Sequence, residues 1–313
     1  SEIFAEHAAL SGKDNAGARD FDISAHGDIS RHDYSALEPF QWPQPSGGSG
    51  GTKRLFGDGK YYTPDGRARF IATPYRPPVA ATSNSFPLIL NSGRIRDQWH
   101  TMTRTAKTAR LMSHIAEPFV EIHPRDAERC GVKDAELAKI ASPHGKAVLR
   151  VLVTDRQQHG TVFAPIHWTN QFASSARIDC LVGAAADPVS GQPELKAAPV
   201  SLKKFETKWH AFAVSHSRPA HAGAAYWAVA PAKAGWRVEL AGVEEPADWA
   251  KHAATVLGLA ENDRSELLAY HDAASGQHRF AAFANDGRLL CALFVAREPV
   301  TVSRSWAAEK LNE

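Results

Sequence analysis

The sequence predicts a mainly β protein with helical insertions, built as a compact β-barrel followed by a small α+β unit. Three observations predict it. Between Phe86 and Ile166, short apolar or alternating runs recur, separated by turn residues and by one or two brief helical stretches. From about Trp209 the composition shifts towards Ala, Trp and Val. Near the end, Asn285-Asp286-Gly287 joins two alternating runs as a hairpin signal.

Residues 1–43 are polar and mixed in charge, with one short helix expected from Glu2 to Leu10. They read as the tail of an element whose partner lies elsewhere. Pro43 to Gly51 is rich in Pro, Ser and Gly and marks a flexible surface loop. In residues 60–70, Pro64-Asp65-Gly66 is a turn signal between two short segments, so a small hairpin is expected. Its Tyr61, Tyr62 and Phe70, beside basic residues, suit either a nucleotide contact or a solvated hairpin. Phe86-Pro87-Leu88-Ile89-Leu90 then reads as a buried strand, and residues 105–115 suit a helix with Lys107 and Arg110 on its polar side.

Phe119 to His123 alternates as a strand; Pro124 opens a short helix through Cys130, and Gly131 ends it. Two further strands, residues 135–141 and 146–154, face each other across Pro143-His144-Gly145, and residues 161–166 form another buried strand. Beyond Trp209, strands are expected at 225–229 and 236–240. Residues 246–257 have helical spacing, with Trp249, Ala253 and Val256 on one side. An antiparallel meander covers 266–271, 279–284 and 288–295. The expected domains are a preceding tail and linker over 1–52, the barrel over 53–207 and the α+β unit over 208–313.

The 313 residues, 43% hydrophobic, suffice for two packed domains, and the net charge of +2 provides no global field for nucleic acid or an anionic membrane. No stretch reaches the roughly 20 apolar residues of a membrane helix. The chain starts on Ser1 and has two methionines, Met102 and Met112, which suggests a piece of a longer protein. Three scattered cysteines support neither a disulfide framework nor a cysteine-rich metal or iron–sulfur site, and point to a reducing compartment. Cys130 and Cys180 read as buried small hydrophobes. No P-loop, Rossmann glycine fingerprint or His-Glu-x-x-His motif is present, and most of the fifteen histidines read as surface or structural.

The chemistry concentrates in three loops. Asn91-Ser92-Gly93-Arg94 follows the first buried strand and leads to Arg96, Trp99, His100, Thr101, Thr103 and Arg104, a dense set of donors for phosphate oxygens with one aromatic surface. It is either an anion site or a polar loop. His167-Trp168-Thr169-Asn170-Gln171 occupies the same place after its own strand, so one shared pocket is plausible. Asp187 to Lys196 is a third turn-rich stretch.

The combination of Asn91-Ser92-Gly93-Arg94, Gln98-Trp99-His100-Thr101 with Thr103-Arg104-Thr105, His123-Pro124 with Asp126-Ala127, and Asp187-Pro188-Val189-Ser190 with Pro193-Glu194-Leu195-Lys196 resembles one family. It is similar to the carboxy-terminal part of prokaryotic assimilatory-type molybdenum nitrate reductases, over roughly residues 53–205. The resemblance implies a double-psi β-barrel that binds molybdopterin dinucleotide and shares a bis-molybdopterin guanine dinucleotide with preceding domains. It implies that Asn91, Ser92, Gly93 and Arg94 contact the phosphate and pterin end beside His100, Thr101 and Thr103. His167 and Trp168 would line the same groove, and Asn170, Asp187, Gln192 and Lys196 would reach guanine or pterin.

No catalytic residue and no metal ligand is expected in this chain. The iron–sulfur cluster and the molybdenum ligand of the family would lie in other parts, so the piece alone should not reduce nitrate. The implied partners are the remaining domains of the same polypeptide and an electron-donor protein or subunit, with nitrate as substrate of the whole cytoplasmic enzyme. The alternatives are another molybdopterin oxidoreductase such as a formate dehydrogenase, or a non-catalytic nucleotide- or RNA-binding barrel.

Overall fold

The computed structural model describes residues 1–48, 51, 53–259 and 267–313. They form two compact units, Ser1–Arg76 and Pro77–Glu313. In the first, helices α1 (Glu2–Gly12) and α2 (Arg31–Ser35) flank a turn-rich chain. There Asp22 receives Ser24 Oγ at 2.6 Å and Asn15 Nδ2 at 2.9 Å. Residues 53–76 belong to this unit, where Tyr62 shares a hollow with His7, Leu10 and Phe21. The expected hairpin over 60–70 makes its turn, with Tyr61 N–H on the Gly66 carbonyl at 3.0 Å, but no strands. Phe70 is 99% exposed, so the segment lacks the buried face that would hold paired strands in register.

The second unit opens with β1 (Leu88–Gly93). In place of the helix expected over 105–115 stand a 3₁₀ turn, Thr105–Lys107, and the single-turn α3 (Ala109–Met112). Extended Thr108 separates them, and each piece is anchored by its own buried side chain, Ala106 and Met112. Then follow β2 (Phe119–Ile122), α4 (Pro124–Cys130), β3 (Leu137–Ala141), β4 (Lys146–Val153), β5 (Thr161–Pro165) and β6 (Ala198–Lys204). The signals for α4 act as expected: His123 caps it, Pro124 opens it, and Gly131 ends it at φ 67°. These strands close into a barrel ordered β1-β5-β2-β4-β3-β6, the double-psi barrel of the expected fold class. Its parallel pairs are β1 with β5 and β2 with β4.

A six-stranded antiparallel sheet completes the unit, ordered β10-β11-β12-β7-β9-β8. Its members are β7 (Trp209–Ser215), β8 (Tyr226–Ala232), β9 (Gly235–Gly242), β10 (Leu268–Asp272), β11 (Gln277–Phe283) and β12 (Leu289–Ala296). Helices α5 (Trp249–Leu257) and α6 (Arg304–Glu309) pack against it. The meander is present; its first residue by sequence, Glu266, lies outside the described residues. The barrel core is continuous with Tyr226, Ala228 and Ala241 of the sheet, so barrel and sheet share apolar packing. Cys130 and Cys180 are half-buried and only Cys291 is fully enclosed, which corrects the expectation for the first two.

Candidate functional site

Register alone brings the three donor-rich loops together. β1 and β5 run parallel, with Asn91 opposite Phe163 and Gly93 opposite Pro165, so the loops that leave both strands emerge at one end of the barrel. β6 runs antiparallel to β1, with Leu90 opposite Ala198, so the loop that enters β6 arrives at that same end. Three segments distant in sequence therefore form one surface.

The first loop is wound tightly. His100 and Met102 have φ of 44° and 60°, a conformation that costs a non-glycine residue on the order of 1–3 kcal/mol. Two contacts offset this: the Met102 side chain is fully buried, and the His100 carbonyl is held by His167. Gln98 is buried too, donating to Met112 Sδ at 3.0 Å and accepting Thr105 Oγ1 at 2.7 Å. Arg96 is occupied by Asp97 at 2.9 Å, and Asp97 also takes His114 at 2.7 Å. Arg94 has no carboxylate partner among the described residues; its guanidinium lies over the Trp99 ring at 5.3 Å. Asn91, Arg94, Trp99, His100, Thr101, Thr103 and Arg104 are exposed.

The expected groove-lining pair lies deeper. His167 and Trp168 are 0% and 1% exposed. His167 Nε2 accepts the Ile95 N–H at 3.0 Å, and its Nδ1–H donates to the His100 carbonyl at 2.7 Å, which fixes the tautomer. Burial pulls its pKa below the ordinary imidazole value, and the nearby charge of Arg94 acts in the same direction. Trp168 packs in the barrel core with its Nε1–H unpaired among the described residues. His167 fastens the first loop to the end of β5, while Trp168 is enclosed in the barrel core. Asn170, next along, is exposed.

The third loop clamps β1. Ser92 Oγ donates to the Leu195 carbonyl at 2.6 Å, and Lys196 Nζ donates to the Ser92 carbonyl. Asp187 shapes the loop: its carboxylate accepts the N–H groups of Val189 and Ser190 at 3.0 and 2.7 Å, which holds its pKa low. Gln192 is exposed, turned onto the Pro193 carbonyl at 3.4 Å. Gly93 is dictated by its surroundings, because a Cβ there would stand 2.7 Å from Phe163 Cε2.

Sequence reading missed a second constellation, in a cleft of about 1450 Å³ that runs from Arg94 and Arg96 to α6. Glu117 accepts the Tyr226 hydroxyl at 2.7 Å and Arg150 Nε at 3.1 Å. Glu239 accepts Nε and Nη2 of Arg304 at 2.8 and 2.9 Å. Burial raises the Glu239 pKa, and the Glu117 charge adds to it, while Arg304 and Arg150 oppose. Burial alone would lower the pKa of Arg150, yet Glu117, Tyr226 and Glu239 raise it on balance. The signal was present: Arg150, Arg237 and Glu239 interrupt strands otherwise rich in Val, Leu and Ala.

A flat, polyanionic dinucleotide requires charged and neutral donors for its phosphates, a planar surface and close access to backbone. The first loop supplies Arg94, Arg104, Thr101 and Thr103 as exposed donors and Trp99 as the plane, while Ser92 and Gly93 lie buried behind them. The residues fit such a group.

Residues 88–199 match the family model described as the molydopterin dinucleotide binding domain. A nitrate reductase of Klebsiella oxytoca is 42% identical over 248 residues, covering 79% of this chain and 28% of that protein. The assimilatory nitrate reductase catalytic subunit of Bacillus subtilis is 34% identical over 163 residues, 51% of this chain and 22% of that protein. An F420-dependent formate dehydrogenase 1 subunit alpha of Methanococcus maripaludis is 33% identical over 169 residues, 54% of this chain and 24% of that protein. The chain thus spans about a quarter of the length of the curated relatives it matches.

Proposed function

We propose that the chain belongs to the molybdopterin oxidoreductase superfamily, with residues 88–199 as its molybdopterin dinucleotide-binding domain, and that it is the cofactor-holding carboxy-terminal part of an assimilatory molybdenum nitrate reductase. The observation that carries this reading is the convergence of the three loops at one barrel end, with Arg94 stacked on Trp99 and free of a carboxylate among the described residues. The group, taken here as bis-molybdopterin guanine dinucleotide, supplies the two-electron chemistry that turns nitrate into nitrite. This chain's residues bind and orient it. Arg94, His100, Thr101 and Thr103 donate to phosphate oxygens, with Asn91 beside them. Asn170 and Gln192 offer amide edges to guanine. Ser92, Gly93, Asp187 and Lys196 act through the shape of the clamp, and His167 and Trp168 through the wall behind it.

On this reading the molybdenum ligand and the iron–sulfur cluster belong to other parts of the polypeptide. No helix among the described residues is long and apolar enough to cross a membrane. The similarity to a formate dehydrogenase subunit favours a second reading, the same cofactor role with formate as substrate. Assays of the full-length protein with nitrate and an artificial reductant, and with formate and an artificial oxidant, separate the two. Nitrite formation is expected; formate oxidation without nitrite formation would replace the first reading by the second.

A further inference from the structure

Away from the groove, His123, Asp126 and His159 each offer one ligand atom, and all three atoms lie within 4.8 Å of one another. We propose that they bind a divalent ion of the zinc class, which clamps α4 to the β4–β5 connection.

Each position is fixed by the fold. His123 is the residue that caps α4, and Asp126 follows one turn later on the same side of the helix. His159 comes from the connection that leads into β5, just before Gly160, whose φ of 80° turns the chain back into the barrel. Asp126 is fully buried, and its Oδ2 accepts His159 Nδ1 at 2.8 Å and the Gly160 N–H at 2.7 Å. The His123 and His159 rings stand 5.7 Å apart between centroids, and only His159 bonds the carboxylate. A hydrogen-bonded structural carboxylate needs only one of them. His123 bonds nothing beyond its own helix among the described residues: its Nδ1 accepts the Arg125 N–H at 3.2 Å.

Two imidazoles and one carboxylate form a donor set suited to Zn²⁺ and its neighbours, and unsuited to Ca²⁺ or Mg²⁺, which take oxygen shells. The His159 side chain is 50% exposed, so the ion has a path from solvent and a fourth position for water. Two features oppose binding: the Nδ1 proton that His159 gives to Asp126 must leave if that nitrogen takes the ion, and Asp126 already has a cation beside it. Arg129 Nη1 lies 3.3 Å from Asp126 Oδ1, but this i,i+3 contact is made by a side chain 58% exposed and is weak enough to give way.

The test uses the full chain, titrated with Zn²⁺ by calorimetry and with Co²⁺ by its visible absorption. His123→Asn keeps a good helix cap and removes the imidazole; His159→Ala removes the ligand from the connection. The expected result is one equivalent bound, at least tenfold weaker in either variant, with a zinc-dependent rise in melting temperature that both variants lose. Arg129→Ala should bind several-fold more tightly, because it removes the competing cation. His271→Ala in the exposed pair His271–His278, whose Nδ1 atoms lie 2.8 Å apart, should leave this equivalent intact. Absence of binding, or one equivalent that survives both His123→Asn and His159→Ala unchanged, overturns the proposal.

Discussion

His167 spans two segments at once: its Nδ1–H donates to the His100 carbonyl at 2.7 Å, while its Nε2 accepts the backbone N–H of Ile95 at 3.0 Å. A single buried ring thereby holds the first donor loop against the end of β5. His167→Ala leaves a partly buried N–H and a partly buried carbonyl without their side-chain partner, costing about 1–3 kcal/mol together. Urea unfolding should show the loss. His167→Gln, which carries both a donor and an acceptor, should recover part of it, and equal losses in the two variants would contradict the bridging role.

Acid should act through the same ring. Burial holds the folded-state pKa of His167 below 6.5 and that of His210 at about 4, the latter with burial as the main cause. Each stays neutral when folded, so its contribution to stability is complete above pH 6.5 and is lost as pH falls through the depressed folded value. Unfolding free energy should therefore drop between about pH 6.5 and pH 4. His210→Leu should flatten that part of the profile, and an unchanged slope would argue against the assignment.

Gly93→Ala places a methyl group 2.7 Å from Phe163 Cε2, and overpacking of that kind costs about 1–3 kcal/mol. Pairing it with Phe163→Leu should recover much of the loss. Additive losses in the double variant would mean that the two positions do not press on each other.

In the cleft, Arg304→Ala leaves Glu239 with Arg150 at 3.9 Å as its nearest remaining cation. Breaking a buried pair from one side costs about 3–5 kcal/mol. The partial exposure of Arg304 puts the expected loss at the lower end, about 3 kcal/mol. Adding Glu239→Gln should restore part of it, as measured by denaturant unfolding; a double variant less stable than Arg304→Ala would refute the pairing.

How far the molecule could be read in advance follows from what local sequence encodes. Continuous apolar runs marked β1 and β5, and alternation marked β2 to β4, because a half-buried strand must repeat every two residues. Caps and turn residues placed α4 and the Asn285-Asp286-Gly287 turn. The helix expected over 105–115 failed because two buried anchors, Ala106 and Met112, on either side of extended Thr108 outweigh helical spacing. β6 and β7 went unread, although both carry apolar residues: β6 ends in Lys203-Lys204, and β7 is buried on both faces and so shows no alternation. At the site, the donor loops were legible as composition. That His167 and Ser92 bind protein backbone was not, because those partners lie 72 and 103 residues away and depend on register.

The central claim is that Arg94, free of a carboxylate among the described residues and stacked on Trp99, holds the dinucleotide, whereas Arg96, tied to Asp97, does not. The direct measurement is the guanine nucleotide and oxidised pterin released on denaturing the purified full-length protein and its Arg94→Ala and Arg96→Ala variants. The account predicts both compounds from the parent protein, at least tenfold less from Arg94→Ala, and parent levels from Arg96→Ala, with all three proteins equally folded. A parent protein that releases neither compound, or an Arg94→Ala variant that releases as much as the parent, would contradict it.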